Sequence, residues 1–246
     1  MDHVDFGYER VSPGEKSERV HGVFASVAPR YDLMNDLMSF GIHRLWKRFA
    51  AGISGVRAGA QVLDAAGGTG DCTALYRRAV GSSGTVTLCD INDAMLRIGR
   101  DRLLDAGLAS GVHYVRGNAE CLPFESGRFD CVNMAFGLRN VTHKERALES
   151  MHRVLKFGGV AVVLEFSHLV LPMLRGLYDA WSTRFIPFLG GMVTGDESSY
   201  RYLVESIRMH PDQEALQRLM EQAGFSQVRY FNLSGGIVAV HRGYKL

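Results

Sequence analysis

Short apolar runs alternate with helical segments through the middle of the chain, and this alternation limits the fold more than any other feature. Strands are predicted at 61–65, 85–89, 112–116, 129–135 and 160–166. Strands that alternate with helices at this spacing favour a parallel sheet with helices on both faces. Two last strands, 228–233 and 237–244, are joined by Ser234-Gly235-Gly236, which is typical of a tight hairpin. The pattern predicts an α/β, doubly wound, mostly parallel seven-stranded sheet with an antiparallel C-terminal hairpin.

The chain is expected to form a single domain over residues 18–246, preceded by a loose leader at 1–17. Residues 18–53 have a helical pattern, broken at Pro29 and near Gly41, that predicts an N-terminal lid. The segment 169–210 predicts a helical insert over the substrate site. Its first part, 169–193, is apolar and rich in aromatic residues. Housing for a long apolar ligand and ordinary core packing explain that part equally well.

Composition excludes several classes of protein. Apolar residues make up 46% of the 246 residues, and a net charge of +2 gives no electrostatic reason to expect a nucleic-acid partner. Four scattered cysteines without C-x-x-C spacing indicate reduced, buried thiols rather than a metal site. The N-terminus lacks the apolar core of a secretory signal, and no apolar run approaches the ~20 residues of a membrane span. We therefore expect a cytoplasmic protein that can still make peripheral contact with a membrane surface.

The stretch from Val62 to Asp71 has the pattern of a strand, a glycine loop and a helix start. Ligands bind at the carboxyl ends of strands in a doubly wound sheet, so the loop Gly67-Gly68-Thr69-Gly70 is expected to face a ligand. A dinucleotide would bring its pyrophosphate to the helix N-terminus, where Asp71 would repel it. Asp64 and Asp71 instead suit the ammonium and sulfonium groups of S-adenosylmethionine. The alternative for Asp71 is that it only caps its helix.

Polar groups also follow the next two strands. Asp90 ends the second strand about 20 residues further on, where a carboxylate can accept hydrogen bonds from ribose hydroxyls. Asn118 and Ala119 follow the third strand, where a side-chain amide and the backbone can bind the adenine edge. Parallel strands bring their carboxyl ends to one edge of the sheet, so these groups predict one cofactor site.

Longer motifs resemble the C-methyltransferases of ubiquinone and menaquinone biosynthesis. They are YDLMNDLMSFGIHRLW (31–46), GGTGD (67–71), FGLRNV (136–141), RVLK (153–156), SYRYL (199–203), SIRMHP (206–211) and HRGYK (241–245). The resemblance implies the class I, Rossmann-like methyltransferase fold. It also implies cofactor contacts at Thr69, Asp90, Asn118 and Ala119. Ala135 stands where the family often has Ser, so a backbone contact there would survive and a hydroxyl contact would not.

The resemblance further implies methylation of a ring carbon of a polyprenylated quinol, either a demethylmenaquinol, a 2-methoxy-6-polyprenyl-1,4-benzoquinol or both. Removal of a phenolic proton makes the adjacent carbon nucleophilic, which requires a base. Asp71 is the carboxylate nearest the cofactor loop and is the first candidate, acting through water. Arg139 is expected to stabilise the developing phenolate, unless it forms a surface ion pair. Tyr31 is the third candidate catalytic residue.

Two roles are open for the motif residues of the lid regions. For Tyr31, His43, Tyr200, Arg201 and His210, a structural role explains the residue as well as a substrate contact does. A homodimer and a complex of quinone-biosynthesis enzymes are both compatible with the sequence.

Other functions stay open to different degrees. Asp71 and the missing G-x-G-x-x-G spacing count against a nicotinamide oxidoreductase. Enzymes that methylate base or amide nitrogens usually carry an Asn/Asp-Pro-Pro-aromatic run after the fourth strand, where this chain has Ala135-Phe136-Gly137-Leu138. A methyltransferase of another small aromatic or lipid acceptor, and a non-catalytic lipid-binding scaffold, are the remaining alternatives.

Overall fold

Nine strands and eight helices form the part of the chain that the structure describes. This computed structural model describes residues 3–28, 31–170 and 196–246, with the backbone alone for Tyr31 and Asp32. The strands are β1 (Val4–Phe6), β2 (Glu9–Val11), β3 (Gln61–Ala65), β4 (Thr85–Asp90), β5 (Val112–Arg116), β6 (Phe129–Ala135), β7 (Leu155–Phe166), β8 (Ser226–Leu233) and β9 (Val238–Tyr244). The helices are α1 (Pro13–Val27), α2 (Tyr31–Ser39), α3 (His43–Ile53), α4 (Asp71–Val80), α5 (Asp93–Asp105), α6 (Lys144–Val154), α7 (Glu197–Arg208) and α8 (Gln213–Gln222).

Seven of these strands form one sheet in the order β5-β4-β3-β6-β7-β9-β8. The neighbours from β5 to β7 are parallel, and β9 runs antiparallel to both β7 and β8. The chain enters the sheet at β3, moves outward to β5 and crosses back to β6. The order therefore reverses between β3 and β6, where doubly wound sheets form their ligand crevice. The seven-stranded, mostly parallel sheet with an antiparallel C-terminal hairpin is confirmed.

The central strands are buried on both faces, which explains their nearly continuous apolar sequences. On one face, Leu148 and Met151 of α6 and Met220 of α8 belong to one apolar cluster with the strands. On the other face, Trp46 of α3 and Tyr76 of α4 belong to a second cluster. Helices on both faces thus hold the carboxyl ends of β3 to β6 side by side.

The N-terminal residues are ordered, so the expectation of a loose leader over 1–17 is wrong for residues 3–17. Strands β1 and β2 pair as an antiparallel hairpin. Helix α1 starts at Pro13, where the Ser12 hydroxyl accepts a hydrogen bond from the Glu15 N–H at 3.3 Å. Phe6 stacks on Tyr202 of α7 with ring centroids 4.1 Å apart. Ser, Pro and Glu at these spacings are a helix start signal, and the stack on a distant helix holds the hairpin in place.

The two regions expected to cover the site are described to different extents. Helices α1, α2 and α3 lie where the N-terminal lid is predicted, and α7 occupies the end of the predicted insert. Most of the apolar segment 169–193 lies outside the described residues, so its expected role stays a prediction. Among the residues described, no helix is both long and apolar enough to span a membrane.

Candidate active site

A polar cavity of about 790 Å³ opens at the carboxyl ends of β3 to β6. Its strand-end wall includes Ala66, Gly68, Asp90, Asn118, Ala119, Ala135 and Phe136. Helix α1 forms the opposite wall through Ser17, His21 and Phe24 among others. The structure thus brings together five of the residues predicted to bind the cofactor. It adds a helical wall that sequence reasoning had assigned in part to the leader.

Asp90 combines burial with two local hydrogen bonds. One carboxylate oxygen accepts the Gly68 N–H at 2.9 Å, and the other accepts the Asn92 N–H at 2.8 Å. Burial raises the pKa of Asp90, because the two N–H donors only partly replace lost water. A carboxylate oxygen can accept more than one hydrogen bond, so Asp90 keeps acceptor capacity on the wall of the polar cavity.

The residues of the glycine loop do not all line the same cavity. Gly68 lines the polar cavity, with a positive φ of 56° that favours glycine. The Gly67 N–H donates to the Cys89 carbonyl at 3.2 Å, and this glycine is not part of the cavity wall. Thr69 and Gly70 line a separate cavity of about 280 Å³ on the far side of the loop. The structure therefore does not bring Thr69, Gly67 and Gly70 to the same wall as Asp90.

Asp64 lies beneath the loop and is not part of the cavity wall, and its contact with the ammonium group stays a prediction. It has no exposed surface, and its two oxygens accept hydrogen bonds from the Thr73 hydroxyl at 2.6 Å and the Asn133 amide at 2.7 Å. Burial raises the pKa of Asp64 to about 6. A Cβ added at Gly67 would lie 2.9 Å from the Asp64 carboxylate, so this acid supports the loop from below.

Asp71 is an ion-paired carboxylate, which does not suit the general-base role expected for it. Its two oxygens accept hydrogen bonds from the Lys47 ammonium at 2.7 Å and the Arg102 guanidinium at 2.9 Å. Burial alone would raise the pKa of Asp71, but the two cations outweigh it and lower the pKa to about 2. A carboxylate this acidic holds a proton poorly at neutral pH. The cap residue itself is Gly70, and Asp71 lies in the first turn of α4, where the helix dipole favours a carboxylate, so the alternative of a helix-stabilising role for Asp71 stays open.

A second, apolar cavity of about 520 Å³ lies between α2, α3, α7 and the sheet. Its wall consists largely of apolar side chains, among them Val27, Met34, Met38, Trp46, Phe166, Leu203, Val204 and Ile207. Phe24, Phe136 and Asn140 line both this cavity and the polar one. The two cavities therefore adjoin at these three residues.

The shared wall carries local backbone strain. Ala66 follows β3 and Phe136 follows β6, and both have positive φ values, 51° and 57°. A Cβ added at Gly137 would lie 2.7 Å from the Ala66 Cβ, so the two strand ends approach closely. Non-glycine residues in this conformation cluster at ligand sites, because the surrounding structure must hold them there.

Arg139 lies at the apolar cavity and forms a buried ion pair instead of a surface one. Its guanidinium donates to the Glu165 carboxylate at 2.9 Å, and its backbone N–H donates to the other Glu165 oxygen at 3.2 Å. The guanidinium carbon also lies 5.4 Å from the centre of the Phe166 ring. The Nε of Arg139 is buried and has no hydrogen-bond partner among the described residues. Sequence reasoning missed Glu165, although a lone acid within the apolar run of β7 signals a buried pair.

Only some of the remaining lid residues line the apolar cavity. His43 and Tyr200 line the apolar cavity, whereas Arg201 is exposed and pairs with Glu197 at 2.7 Å. His210 is buried, and neither ring nitrogen has a hydrogen-bond partner among the described residues. The side chain of Tyr31 lies outside the described part of the structure, so its catalytic role stays a prediction.

Comparison with known proteins identifies the family. The profile of the ubiE/COQ5 methyltransferase family matches residues 13–245. The ubiquinone/menaquinone biosynthesis C-methyltransferase UbiE of Cronobacter sakazakii is 58% identical over 245 residues, which cover 100% of this chain and 98% of that protein.

Solved structures agree on the fold. A SAM-dependent methyltransferase of Thermotoga maritima matches with a TM-score of 0.63 at 20% identity, covering 92% of this chain and 100% of that one. The [4+2]-cyclase SpnF matches with a TM-score of 0.60 at 18% identity, covering 93% and 96%. Since the same fold also supports a cyclase, the family assignment depends on the full-length sequence match. The chain belongs to the ubiE/COQ5 methyltransferase family.

Proposed function

We propose that this protein transfers the methyl group of S-adenosylmethionine to a ring carbon of a polyprenylated quinol. The observation that carries the proposal is the pair of adjoining cavities with opposite character, one polar and one apolar, that share Phe24, Phe136 and Asn140. A reaction between a polar cofactor and an apolar acceptor needs such a junction. The names of full-length relatives, which are ubiquinone/menaquinone biosynthesis C-methyltransferases, support the same acceptor class.

The polar cavity fits S-adenosylmethionine. Asp90 offers carboxylate oxygens with remaining acceptor capacity, which suits ribose hydroxyls. Asn118 and Ala119, after β5, would hold the adenine edge, and Gly68 and Ala135 would contact the cofactor through their backbone. Asp64 and Asp71 act indirectly, by holding the glycine loop in place: Asp64 from below and Asp71 from the far side.

The chemistry divides between the cofactor and the protein. S-adenosylmethionine, when bound, supplies an electrophilic methyl group with its leaving group attached. The protein must align the acceptor carbon, exclude water and stabilise the phenolate form of the acceptor. Phe24 and Phe136 exclude water at the junction, and the Arg139 cation, held by Glu165, stabilises the phenolate oxygen.

The apolar cavity fits a polyprenylated ring. Its methionine, leucine and valine side chains offer no hydrogen bonds to water, so burial of an isoprenoid tail there is favourable at roughly 25 cal/mol per Å². The ring would lie at the junction with the polar cavity, and the tail would extend from it along the apolar wall. Demethylmenaquinol and 2-methoxy-6-polyprenyl-1,4-benzoquinol share this ring-and-tail plan, and we propose that both are acceptors.

A membrane surface is the natural source of such acceptors, and α2 and α3 suit peripheral contact with one. Large apolar side chains are exposed along this region, at Leu33, Leu37, Phe40, Ile42, Leu45 and Phe49. Phe40 is 75% exposed and also lines the apolar cavity. The basic side chains of Arg44 and Arg48 lie among them. Contiguous exposed apolar residues with flanking cations are typical of surfaces that bind anionic bilayers.

Methyl transfer to defined acceptors tests the function. The purified protein is incubated with methyl-labelled S-adenosylmethionine and each reduced quinol in detergent, and label is followed into the organic phase. Label in both quinols is the expected result, and label in one assigns a single acceptor. Label in neither, with cofactor binding intact, overturns the quinol proposal. A small aromatic acceptor without a tail, run in parallel, tests the alternative acceptor class.

Vesicle flotation tests the membrane contact separately. The protein is expected to float with vesicles that contain phosphatidylglycerol and to float less with phosphatidylcholine alone. Phe40→Ser is expected to reduce flotation, and Phe157→Ser, at an 81% exposed residue of β7, is the matched control. Equal flotation of all three proteins would contradict the assignment of α2 and α3.

A further inference from the structure

His43 lies at the wall of the apolar cavity in an unusual hydrogen-bonding state. It is the first residue of α3 and is only 5% exposed. Its Nε2 lies 2.9 Å from a carboxylate oxygen of Asp36, near the end of α2. Its Nδ1 is buried and has no hydrogen-bond partner among the described residues. Buried polar atoms nearly always have a partner, so the orphaned ring nitrogen of this cavity-lining residue points to a partner that the described residues do not supply.

The partner of Nε2 determines which nitrogen carries the proton. The Arg44 guanidinium donates to both Asp36 oxygens, at 2.9 Å and 2.5 Å. These hydrogen bonds lower the pKa of Asp36, so the group is a carboxylate, which can only accept. Nε2 must therefore carry the hydrogen. In a neutral imidazole, Nδ1 is then the bare lone pair, which is the form of a proton acceptor.

Burial keeps the imidazole neutral. Burial lowers the pKa of His43, and it outweighs the opposing Asp36 hydrogen bond. Lys47 of the same helix also disfavours a second positive charge, while Asp71 at the start of α4 and Asp36 favour it. The imidazole is thus available as a base at neutral pH.

Neither Asp71 nor Arg139, the two other described residues predicted to be catalytic, offers such an acceptor. Asp71 is a strongly acidic carboxylate with both oxygens on cations. The Arg139 guanidinium has hydrogen-bond donors and no acceptor, so it does not offer a lone pair for a proton. An anion at the acceptor oxygen would instead be stabilised by Arg139, so the two residues are complementary.

We propose that His43 is the general base of the methyl transfer, with Asp36 as its positioning residue. This assignment rests on the proposed function. The acceptor O–H bond breaks, its proton moves to Nδ1, and the electron pair stays on oxygen. The adjacent ring carbon then forms its bond to the methyl group as the carbon–sulfur bond breaks with its pair left on sulfur. The ring carbon afterwards loses its hydrogen to water as a proton, and the oxygen regains a proton from His43, which restores the aromatic ring and the neutral imidazole.

The test compares His43→Gln with the wild type on acceptors of falling phenolic pKa. Removal of a general base costs typically 10²–10⁴-fold in rate, and we expect kcat on the quinol to fall within that range. The cofactor Kd is expected to stay within about twofold, because His43 lines only the apolar cavity. The defect is expected to shrink on halogenated acceptors that are already ionised. A purely structural role would lower the rate on every acceptor alike.

Two further variants keep the result decisive. His152→Gln, at a half-buried histidine packed on Phe225 and remote from both cavities, is the matched control and is expected to keep wild-type kcat. Asp36→Asn keeps the imidazole but removes the carboxylate that fixes the hydrogen on Nε2. We expect a loss of about tenfold or more in kcat, and we expect this loss also to shrink on ionised acceptors.

The outcomes separate this assignment from the proposed function. A wild-type protein that methylates neither quinol overturns both. A wild-type protein that methylates a quinol, with less than tenfold loss in His43→Gln or a loss that is equal on all acceptors, overturns the His43 assignment alone. If His43→Gln does not bind the cofactor, the same series of acceptors is measured with Asp36→Asn. A loss of kcat in Asp36→Asn that is equal on all acceptors then overturns the assignment.

Discussion

The two cavities of the active site are built from different kinds of element. The polar cavity lies at the carboxyl ends of neighbouring strands, and Asp90, Asn118 and Ala135 each end or follow one of them. The apolar cavity is assembled by helices from both ends of the chain. Trp46 of α3, for example, is held by a hydrogen bond of 3.0 Å from its Nε1 to the Ser234 hydroxyl, 188 residues away.

This difference indicates which cavity binds which ligand. A sheet edge fixes backbone and polar groups rigidly, which suits a cofactor with many hydrogen-bonding atoms. A cavity between packed helices offers apolar area with few polar groups, which suits a long hydrocarbon. Substitutions in one cavity are therefore expected to change one binding constant and spare the other, except at the shared wall.

The largest effect is expected at the shared wall. Arg139→Ala removes the cation of Glu165, which is 1% exposed, and leaves a buried unpaired charge. Breaking a buried pair in this way costs ~3–5 kcal/mol of unfolding free energy. We also expect methyl transfer to be abolished, because the phenolate loses its stabilising cation. Urea unfolding and the labelled-methyl assay measure the two effects.

The matched control is Arg201→Ala, which breaks an exposed pair with Glu197. It is expected to cost no more than ~0.5 kcal/mol in the same unfolding measurement. Equal costs for the two variants would mean that the Arg139–Glu165 pair does not hold the wall between the cavities.

The second prediction concerns Asp64, the acid beneath the polar cavity. Its pKa is raised from the ordinary 3.8 to about 6, so its favourable contribution to stability is present below pH 4 and lost as pH rises through 6. Asp64→Asn lacks this titration. Its unfolding free energy relative to wild type is expected to improve by on the order of 2–3 kcal/mol between pH 4 and pH 7.

Denaturant unfolding of both proteins across this pH range measures the difference. The cofactor Kd at pH 8 is expected to change by no more than about twofold, since Asp64 has no exposed surface and does not line the polar cavity. A pH-independent difference in stability would mean that the pKa of Asp64 is not raised in the folded protein, and a large loss of cofactor affinity would mean that Asp64 contacts the cofactor.

The third prediction concerns the polar cavity itself. Asp90→Asn replaces a charged acceptor, and hydrogen bonds to charged groups contribute ~1.5–3 kcal/mol, so the cofactor Kd is expected to rise by roughly 10–100-fold. The acceptor KM at saturating cofactor is expected to stay near its wild-type value. Calorimetric titration and initial rates measure these constants, with Asp105→Asn at the exposed end of α5 as control. A rise in acceptor KM of the same size would remove the division between the two cavities.

The sequence predicted the polar cavity better than the apolar one for a physical reason. Strand ends follow from local apolar runs, and the parallel order then brings Asp90 and Asn118 together without further information. Asp64 also lies at a strand end, yet its neighbour across the sheet is Asn133, whose pairing is not visible in the local pattern. The burial of Asp64 away from the cavity wall thus depends on a tertiary partner.

Tertiary partners also explain what was missed at the apolar cavity. The cations that neutralise Asp71 come from α3 and α5, and the acid that holds Arg139 comes from β7. A pattern within one element, such as the lone acid of β7, can signal a buried pair, but it does not identify the partner. The order of residues 3–17 had a local signal at Ser12 and Glu15, but the stack of Phe6 on Tyr202 had none.

The smallest effect is expected from Met38→Gln in the apolar cavity. Met38 is half-buried on its wall, and the amide of Gln would lose water when an isoprenoid tail covers it, at a cost of ~1–2 kcal/mol. We expect the acceptor KM to rise by roughly 5–50-fold, with kcat and the cofactor Kd near wild type. Met209→Gln, at a residue 44% exposed, is the control. The cost arises when the tail covers the amide, so the rise in KM is expected to disappear with an acceptor that lacks the tail. An unchanged KM for the full-length quinol would exclude this cavity as the site of the tail.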